Sequence, residues 1–398
     1  MKATQSRPRW RLTLFVFVML IIEFMDEFAY SGLEVARPLI RDSFALDYVQ
    51  LGLITTIPVM IAIVIEPIMG ILADTGKRRL VMVIGGICFG SGMIVQGLAP
   101  DFLVFMLGSS LLAPASGIFV NIAQASLMDD NPARRENRMA LWTFSGSLAV
   151  VTGPLLLAAM LALGLNWRVF FILSGILSIL LALSILRLPA SHALRTEGNE
   201  EDDHSIRENM NAALALLRSL VIWRWLLLLE FSNLMLDVMF SLLALYMVDI
   251  VGVTQTQAGI AIAVWTGIGL IGDFLLIPLL ERVQGLVYLR VSALIEVILF
   301  PMFLLVDDYW LKLILLGIIG LFNAGWYAIL QGKLYDALGE QSGAVLIVGN
   351  AAGLFGALLP LLLGAIAQYY GLDTAMWLLL AGPVMLLIAL PRREIIQE

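Results

Sequence analysis

Glu23-Phe24-Met25-Asp26-Glu27-Phe28-Ala29-Tyr30-Ser31-Gly32-Leu33-Glu34 returns 207 residues later as Glu230-Phe231-Ser232-Asn233-Leu234-Met235-Leu236-Asp237-Val238-Met239-Phe240-Ser241, with an acid at both the first and a later position. The same step carries Glu66 onto Asp273, Asp74 onto Glu281, Asp101 onto Asp308, Gln124 onto Gln331 and Asp129 onto Asp336. It also carries Gly52 onto Gly259, Gly146 onto Gly353 and Gly164 onto Gly371. Leucine and isoleucine are too common here for apolar matches to count, so the repeat rests on rare polar residues and glycines. A period this long is half a protein rather than a solenoid unit. It describes two copies of one membrane bundle, the duplicated build of a carrier.

Composition supports a membrane chain. Hydrophobic residues make up 60% and charged residues 14%, with a mean hydropathy of +0.94, which excludes an ordinary soluble domain. A bilayer core about 30 Å thick takes roughly 20 helical residues. Apolar stretches of that length predict spans at 12–40, 49–73, 79–98, 102–128, 139–163, 167–188, 221–248, 256–280, 286–306, 309–335, 343–369 and 373–390. The expected fold is all-α, with twelve transmembrane helices in two six-helix bundles related by a pseudo-twofold axis. The expected division is 1–188 for the first bundle, 189–220 for a cytoplasmic linker and 221–398 for the second bundle. That linker carries the acidic run Glu200, Glu201, Asp202, Asp203 and both histidines, His192 and His204, which read as solvated residues with no metal role.

With both termini cytoplasmic, only Arg37, Arg41, Arg168 and Lys312 of the 24 basic residues fall toward the outside. That positive-inside bias sets the direction of every span. The net charge of −7 then says little about partners, and no basic stripe suggests nucleic acid. The first apolar segment is too long for a signal peptide and lacks a convincing cleavage site. Cys88 is the only cysteine, so no intramolecular disulfide is expected, and no N-x-Ser/Thr sequon occurs, which fits a bacterial inner membrane.

In the first span Glu23, Asp26, Tyr30 and Glu34 share one helical face and rise roughly 16 Å at ~1.5 Å per residue. Their mates Glu230, Asn233, Asp237 and Ser241 share the equivalent face of the seventh. Carboxylates at membrane depth are costly, so they are expected to face a wet cavity or a partner rather than lipid. Basic residues inside spans are scarce: Arg37 pairs naturally with Glu34 three residues away, and the other acids have no evident counter-ion. A carboxylate without one in low dielectric tends to carry a proton, and Glu23 and Glu27 repel as i, i+4 neighbours. The candidate proton-coupling residues are therefore Asp26 and Glu23, then Glu27, Glu230 and Asp237. The bland alternative is a set of inter-helical hydrogen bonds with no part in transport. Tyr30, Glu34, Asn233, Ser241, Asn323 and Trp326 are candidates for contact with a small-molecule guest, although aromatic residues in spans commonly serve packing. Glu66 and Asp273 read either as gate latches or as packing-level hydrogen bonds, and Glu296, without an acidic mate, reads as structural.

Between the second and third spans stands Gly70-Ile71-Leu72-Ala73-Asp74-Thr75-Gly76-Lys77-Arg78-Arg79. This resembles the G-x-L-a-D-r-x-G-r-r loop of the major facilitator superfamily. Gly153-Pro154 after Gly146 is similar to part of that family's antiporter signature, and Asn166-Trp167-Arg168-Val169-Phe170 is similar to the W-R-x-x-F entry to the sixth span of its drug exporters. The loop is one residue short, Gly108, Ser109 and Ser110 stand where many drug/proton antiporters carry an arginine, and Leu157 and Ala158 replace a glycine pair. The resemblance implies alternating access without a cofactor or metal, by a chain working alone. It also implies a gating role for Asp74, placed near the start of the eleventh span, and for Glu281 opposite the fifth; a carboxylate facing a helix N-terminus is worth roughly 0.3–2 kcal/mol. Lys77, Arg78 and Arg79 share that gating reading or serve only to set topology. The leading expectation is proton-coupled export of a small amphipathic or cationic molecule. A uniporter or symporter of a metabolite or lipid-like molecule is the alternative. A non-transporting sensor or enzyme is remote, since the sequence has no nucleotide loop, metal-ligand cluster or nucleophile–base pair.

Overall fold

The structure is a computed structural model that describes residues 13–73, 77–130, 135–188, 219–338 and 342–391. Asp74 and nearly all of the expected linker, with its acidic run and both histidines, lie outside the described residues. The first bundle comprises α1 (Leu14–Phe44), α2 (Tyr48–Leu72), α3 (Arg78–Leu98), α4 (Phe102–Asp130), α5 (Arg135–Ala162) and α6 (Trp167–Ile185). The second comprises α7 (Leu220–Asp249), α8 (Gln255–Leu280), α9 (Gly285–Leu305), α10 (Tyr309–Asn323 continuing as Trp326–Leu338), α11 (Ser342–Tyr370) and α12 (Leu372–Ala389). Among the described residues, 10 of these helices are long and apolar enough to cross a membrane by length and composition alone.

Local chemistry starts and stops the helices in matching places. Asp47 caps α2 in a reciprocal box with Gln50, and its mate Thr254 caps α8 in the same box with Gln257, satisfying two orphan N–H groups at each start. Asp101 accepts from Val104 N at 3.0 Å and Asp308 from Leu311 N at 2.8 Å, opening α4 and α10. Gly164 (φ +77°) and Gly371 (φ +94°) both take a positive φ just past α5 and α11, where a glycine carries no Cβ penalty.

The bundles are built alike. In the first, α3 packs against α4 and α6; in the second, α9 packs against α10 and α12. The halves join through α2 on α11 and α5 on α8, two contacts that the repeat interchanges. The joint is tightest toward the end where α1 finishes. There Thr56 Oγ1 donates to Ala357 O at 2.9 Å, and Tyr48 N donates to Gln368 Oε1 at 3.1 Å. Tyr48 Oη donates to Asp249 Oδ2 at 2.7 Å, and Arg41 bridges Asp249 and Asp42, which are themselves repeat mates.

Cations also lock helix ends within each half. Arg168 Nη1 donates to Gly97 O and Ala99 O, at 3.2 and 2.6 Å, while its guanidinium lies over Phe44 and Trp167. In the second half Lys312 serves the equivalent end of α9 instead. Its Nζ donates to Phe303 O at 2.6 Å and Tyr246 Oη at 2.9 Å, and sits over both rings. Orphan carbonyls at a helix terminus need such donors. Lys312→Met keeps the apolar stem but withdraws the charge, so it is expected to cost about 1–3 kcal/mol, measurable as a lower thermal midpoint of the purified protein.

Two helices depart from the predicted continuous spans. In α7 the residues Leu234–Val238 form a π-helical turn. In α10 the helix breaks at Ala324 and Gly325, where Gly325 takes φ +72° and its N–H is caught by Asp273 Oδ1 at 3.0 Å. Both irregularities lie toward the space between the bundles, where a non-helical backbone can be tolerated.

Candidate functional site

The carboxylates of α1 converge on α4 and α5. Asp26 is buried and accepts a 2.6 Å hydrogen bond from Ser116 Oγ of α4, with the Tyr30 phenol beside the same serine. Glu23, also buried, lies over Gly146 of α5, where a methyl group would stand 2.6 Å from its Oε1. Glu66 of α2 presses its carboxyl against Gly117 of α4, filling the space a side chain would take, close enough to Asp26 for like-charge repulsion. Glu27 completes the group. No lysine or arginine pairs with any of these four acids among the described residues.

The seventh helix supplies a smaller counterpart. Glu230 lies over Gly356 of α11, and its Oε2 is buried without a hydrogen-bond partner among the described residues. Asp237 stands on the π-helical turn and faces the first bundle, repelling Glu27 and Glu34 of α1. The expected pairing of Glu34 with Arg37 is present, and Arg37 also donates to Thr55 Oγ1 at 3.0 Å. The stripe is therefore an acid cluster in the first half, extended across the bundle interface by Asp237.

A cavity of about 1080 Å3 lies between α5, α8 and α10. Met139, Phe144, Trp265, Phe274, Ile277 and Leu280 give it apolar walls, and Asp273 and Asn323 are among its few polar residues. The acids of α1 do not line it. Trp326 contributes to the wall but is fully buried, its Nε1 donating to Ser292 Oγ at 2.8 Å, so its indole is engaged in packing against α9. Ser241 Oγ is bonded to Val238 O of its own helix at 2.9 Å, and Asn233 is half-buried on α7.

The basic loop residues divide. Arg79 donates to Ile185 O, Leu186 O and Leu188 O and thereby caps α6. Arg78 pairs with Asp129 at the end of α4 at 2.6 Å, while Lys77 and Glu281 are exposed at helix ends. Sequence reasoning missed Ser116, since a serine in an apolar span carries no periodic signal. It also missed most of the cavity wall, whose apolar side chains look like any buried face. Glu296 proves fully buried with neither oxygen partnered among the described residues.

A family profile, that of the Major Facilitator Superfamily, matches residues 17–359. The chain belongs to the Major Facilitator Superfamily. Within it, the chain is 27% identical over 194 residues to a lincomycin resistance protein of Streptomyces lincolnensis, covering 47% of this chain and 38% of that one. It is 24% identical over 165 residues to a fosmidomycin resistance protein of Escherichia coli, covering 41% and 40%. The matched stretches thus span less than half of those relatives. Among solved structures, a bacterial homolog of the human lysosomal transporter Spinster, inward-facing and unoccupied, aligns with TM-score 0.70 at 18% identity over 94% and 95% of the two chains. The nucleoside transporter NupG aligns with TM-score 0.73 at 13% identity over 95% and 98%. These two share the fold. Family and fold make this Major Facilitator Superfamily chain a multi-pass membrane protein of the twelve-helix, two-bundle design.

Proposed function

We propose that the chain is a proton-coupled antiporter exporting a small amphipathic or cationic molecule by alternating access. The observation that carries the reading is the acid cluster Glu23, Asp26, Glu27 and Glu66, buried or half-buried and without a cationic partner among the described residues. Intramembrane acids in this state mark proton or ion pathways. The named antibiotic-resistance relatives favour export, and the wide apolar cavity suits a guest with a substantial hydrophobic body. In this reading the chain works alone in a bacterial inner membrane, with both termini cytoplasmic and the bundles dividing near residues 188 and 221. The tight joint at Arg41, Tyr48 and Asp249 then closes the outer side, and the cavity opens inward.

Uniport or symport of a metabolite is the second reading. It is favoured by Ser109 of α4, which stands in the region where the resembled antiporters carry an arginine and is held neutrally by Gln96 Nε2 at 2.9 Å. Proteoliposomes carrying a trapped pH indicator and an imposed gradient separate the two. Addition of rhodamine 6G, an apolar monocation, is expected to discharge the gradient only in vesicles containing the protein. Dye movement with no proton movement rejects coupling, and co-directional movement establishes symport.

A further inference from the structure

Along α9, Tyr288, Ser292 and Glu296 stand four residues apart and so share one helical face. The first two serve the break in α10. Tyr288 Oη donates to Ala324 O at 3.0 Å and to Phe322 O at 3.3 Å, the carbonyls at the break. Ser292 Oγ donates to Leu289 O at 3.2 Å and accepts from Trp326 Nε1 at 2.8 Å. The third is idle: Glu296 is fully buried, and neither of its carboxyl oxygens has a partner among the described residues. A buried acceptor left unmatched destabilises the fold, so native interiors rarely keep one without reason.

The first half is a control within the same molecule. The repeat maps this face onto Val81, Gly85 and Phe89 of α3, all buried, and maps Trp326 onto Phe119. The Phe89 and Phe119 rings pack with centroids 6.3 Å apart. There α4 runs unbroken through 117–119, the mates of Ala324, Gly325 and Trp326. An apolar face thus meets the continuous helix and a polar face meets the broken one. The crossing itself does not call for a carboxyl, since a phenylalanine packs at the same position.

The break has room to close. Ala324 and Gly325 border the cavity, where a non-helical backbone is tolerated. Bringing the bundles together at this end removes that space and favours a continuous helix. Two residues passing from extended to helical rise shorten α10 by up to about 4 Å. Because α9 ends at Leu305 and α10 begins at Tyr309, the two helices run antiparallel. Shortening therefore draws Trp326 along α9 from Ser292 toward Glu296, which lies about 6 Å further on. A swing of the indole covers the remainder.

We infer that Glu296 is the second seat of the Trp326 indole: its carboxyl receives the Nε1 hydrogen that Ser292 holds here, once the break in α10 closes as access switches. Glu296 is then a positioning residue that acts through Trp326. Shifts of about one turn between packed helices are a recognised form of two-state switching. The inference rests on the alternating-access part of the proposed function, and on neither proton coupling nor the choice of substrate.

Spin labels at Trp310→Cys and Gly332→Cys, on a Cys88→Ser background, measure the length of α10 in the purified full-length chain. Trp310 is 70% exposed, and a Cβ at Gly332 meets nothing within 4 Å. Ser292→Ala removes the first seat and is expected to raise the short-to-long ratio about fivefold, the worth of one net hydrogen bond. Adding Glu296→Leu should cancel that rise, whereas adding Glu296→Gln, which keeps an acceptor oxygen, should preserve it. A side chain that only fills space would respond alike to both. Glu296→Phe, the residue of the first half, substitutes if the leucine variant does not purify.

Gly52→Leu, which loads the opposite end of the joint, should shorten the same distance, while labels at Asp101→Cys and Tyr369→Cys report whether the halves have parted. A ratio indifferent to Ser292→Ala, or a rise that survives Glu296→Leu, overturns the inference. So does an unchanged α10 length in Gly52→Leu chains whose halves have parted. If Gly52→Leu leaves the halves in place, rocking about that crossing fails instead, and the Ser292 and Glu296 variants still decide the seat.

Discussion

Asp26→Asn is expected to bring gradient-driven transport of rhodamine 6G down to the level of protein-free vesicles, while dye exchange at equal pH continues. The asparagine amide retains an oxygen where Asp26 accepts the 2.6 Å hydrogen bond from Ser116 Oγ, so the contact between α1 and α4 survives. What it loses is the ability to take up and release a proton. Glu66 and Glu27 lie near enough to repel Asp26, so the cluster shares its charge, and removing one ionisable member changes the proton load of the whole group. Glu23→Gln is expected to uncouple as well, because Glu23 packs over Gly146 at the joint of α1 with α5. Transport rates measured across pH decide the matter. A wild-type pH dependence retained in both amide variants removes the proton-carrier assignment, whatever the variants do to overall rate.

The repeat was legible in sequence because its rare residues do structural work in both halves. Gly164 and Gly371 matched in sequence because both take a positive φ just after α5 and α11. Asp101 and Asp308 matched because both cap a helix. Glu66 and Asp273 each dock on the fourth helix of their half, one over Gly117 and the other on Gly325 N. Glu23 and Glu230 each lie over a glycine of the fifth helix, Gly146 and Gly356, although the second is three residues beyond the exact mate of the first. These are local demands of charge and space, which single residues reveal. The cavity was not legible for the opposite reason. Trp265, Phe274 and Leu280 have the periodicity of any apolar face, and only the separation of α5 from α8 makes them a wall. The π-helical turn at Leu234–Val238 and the vacant hydrogen-bonding capacity of Asn323 likewise depend on packing between helices. Arg79 shows the same limit: as part of a loop motif it invites a gating role, whereas its guanidinium is engaged with three carbonyls at the end of α6.

Gly52→Leu is expected to force the tight end of the joint open and trap the chain in the opposite access state. A Cβ on Gly52 would stand 2.6 Å from Pro360 O and 2.8 Å from Leu361 Cα, both backbone atoms of α11 that cannot swing aside. The repeat mate Gly259 meets Ala158 Cβ at 3.0 Å and Val35 Cγ1 at 3.2 Å, with the nearest backbone atom, Pro154 O, at 3.5 Å, so its crossing is tight but less so than that of Gly52. The two glycines are therefore equivalent in sequence but not in effect, and Gly259→Leu is expected to be the milder change. Overpacking at a close crossing costs about 1–3 kcal/mol, or roughly a fivefold to 150-fold shift in the ratio of states. Asp249→Asn weakens the Arg41 contact at the same end, yet partly exposed ion pairs contribute at most about 1 kcal/mol, so it should rank last. Spin labels at cysteines replacing Asp101 and Tyr369, on a Cys88→Ser background, report the distance between the halves at this end. The separation should lengthen most in Gly52→Leu, less in Gly259→Leu and least in Asp249→Asn. If Gly52→Leu leaves the distance distribution of the parent unchanged, the halves do not rock about this crossing, and the symmetric contacts of α2 with α11 and α5 with α8 are static packing.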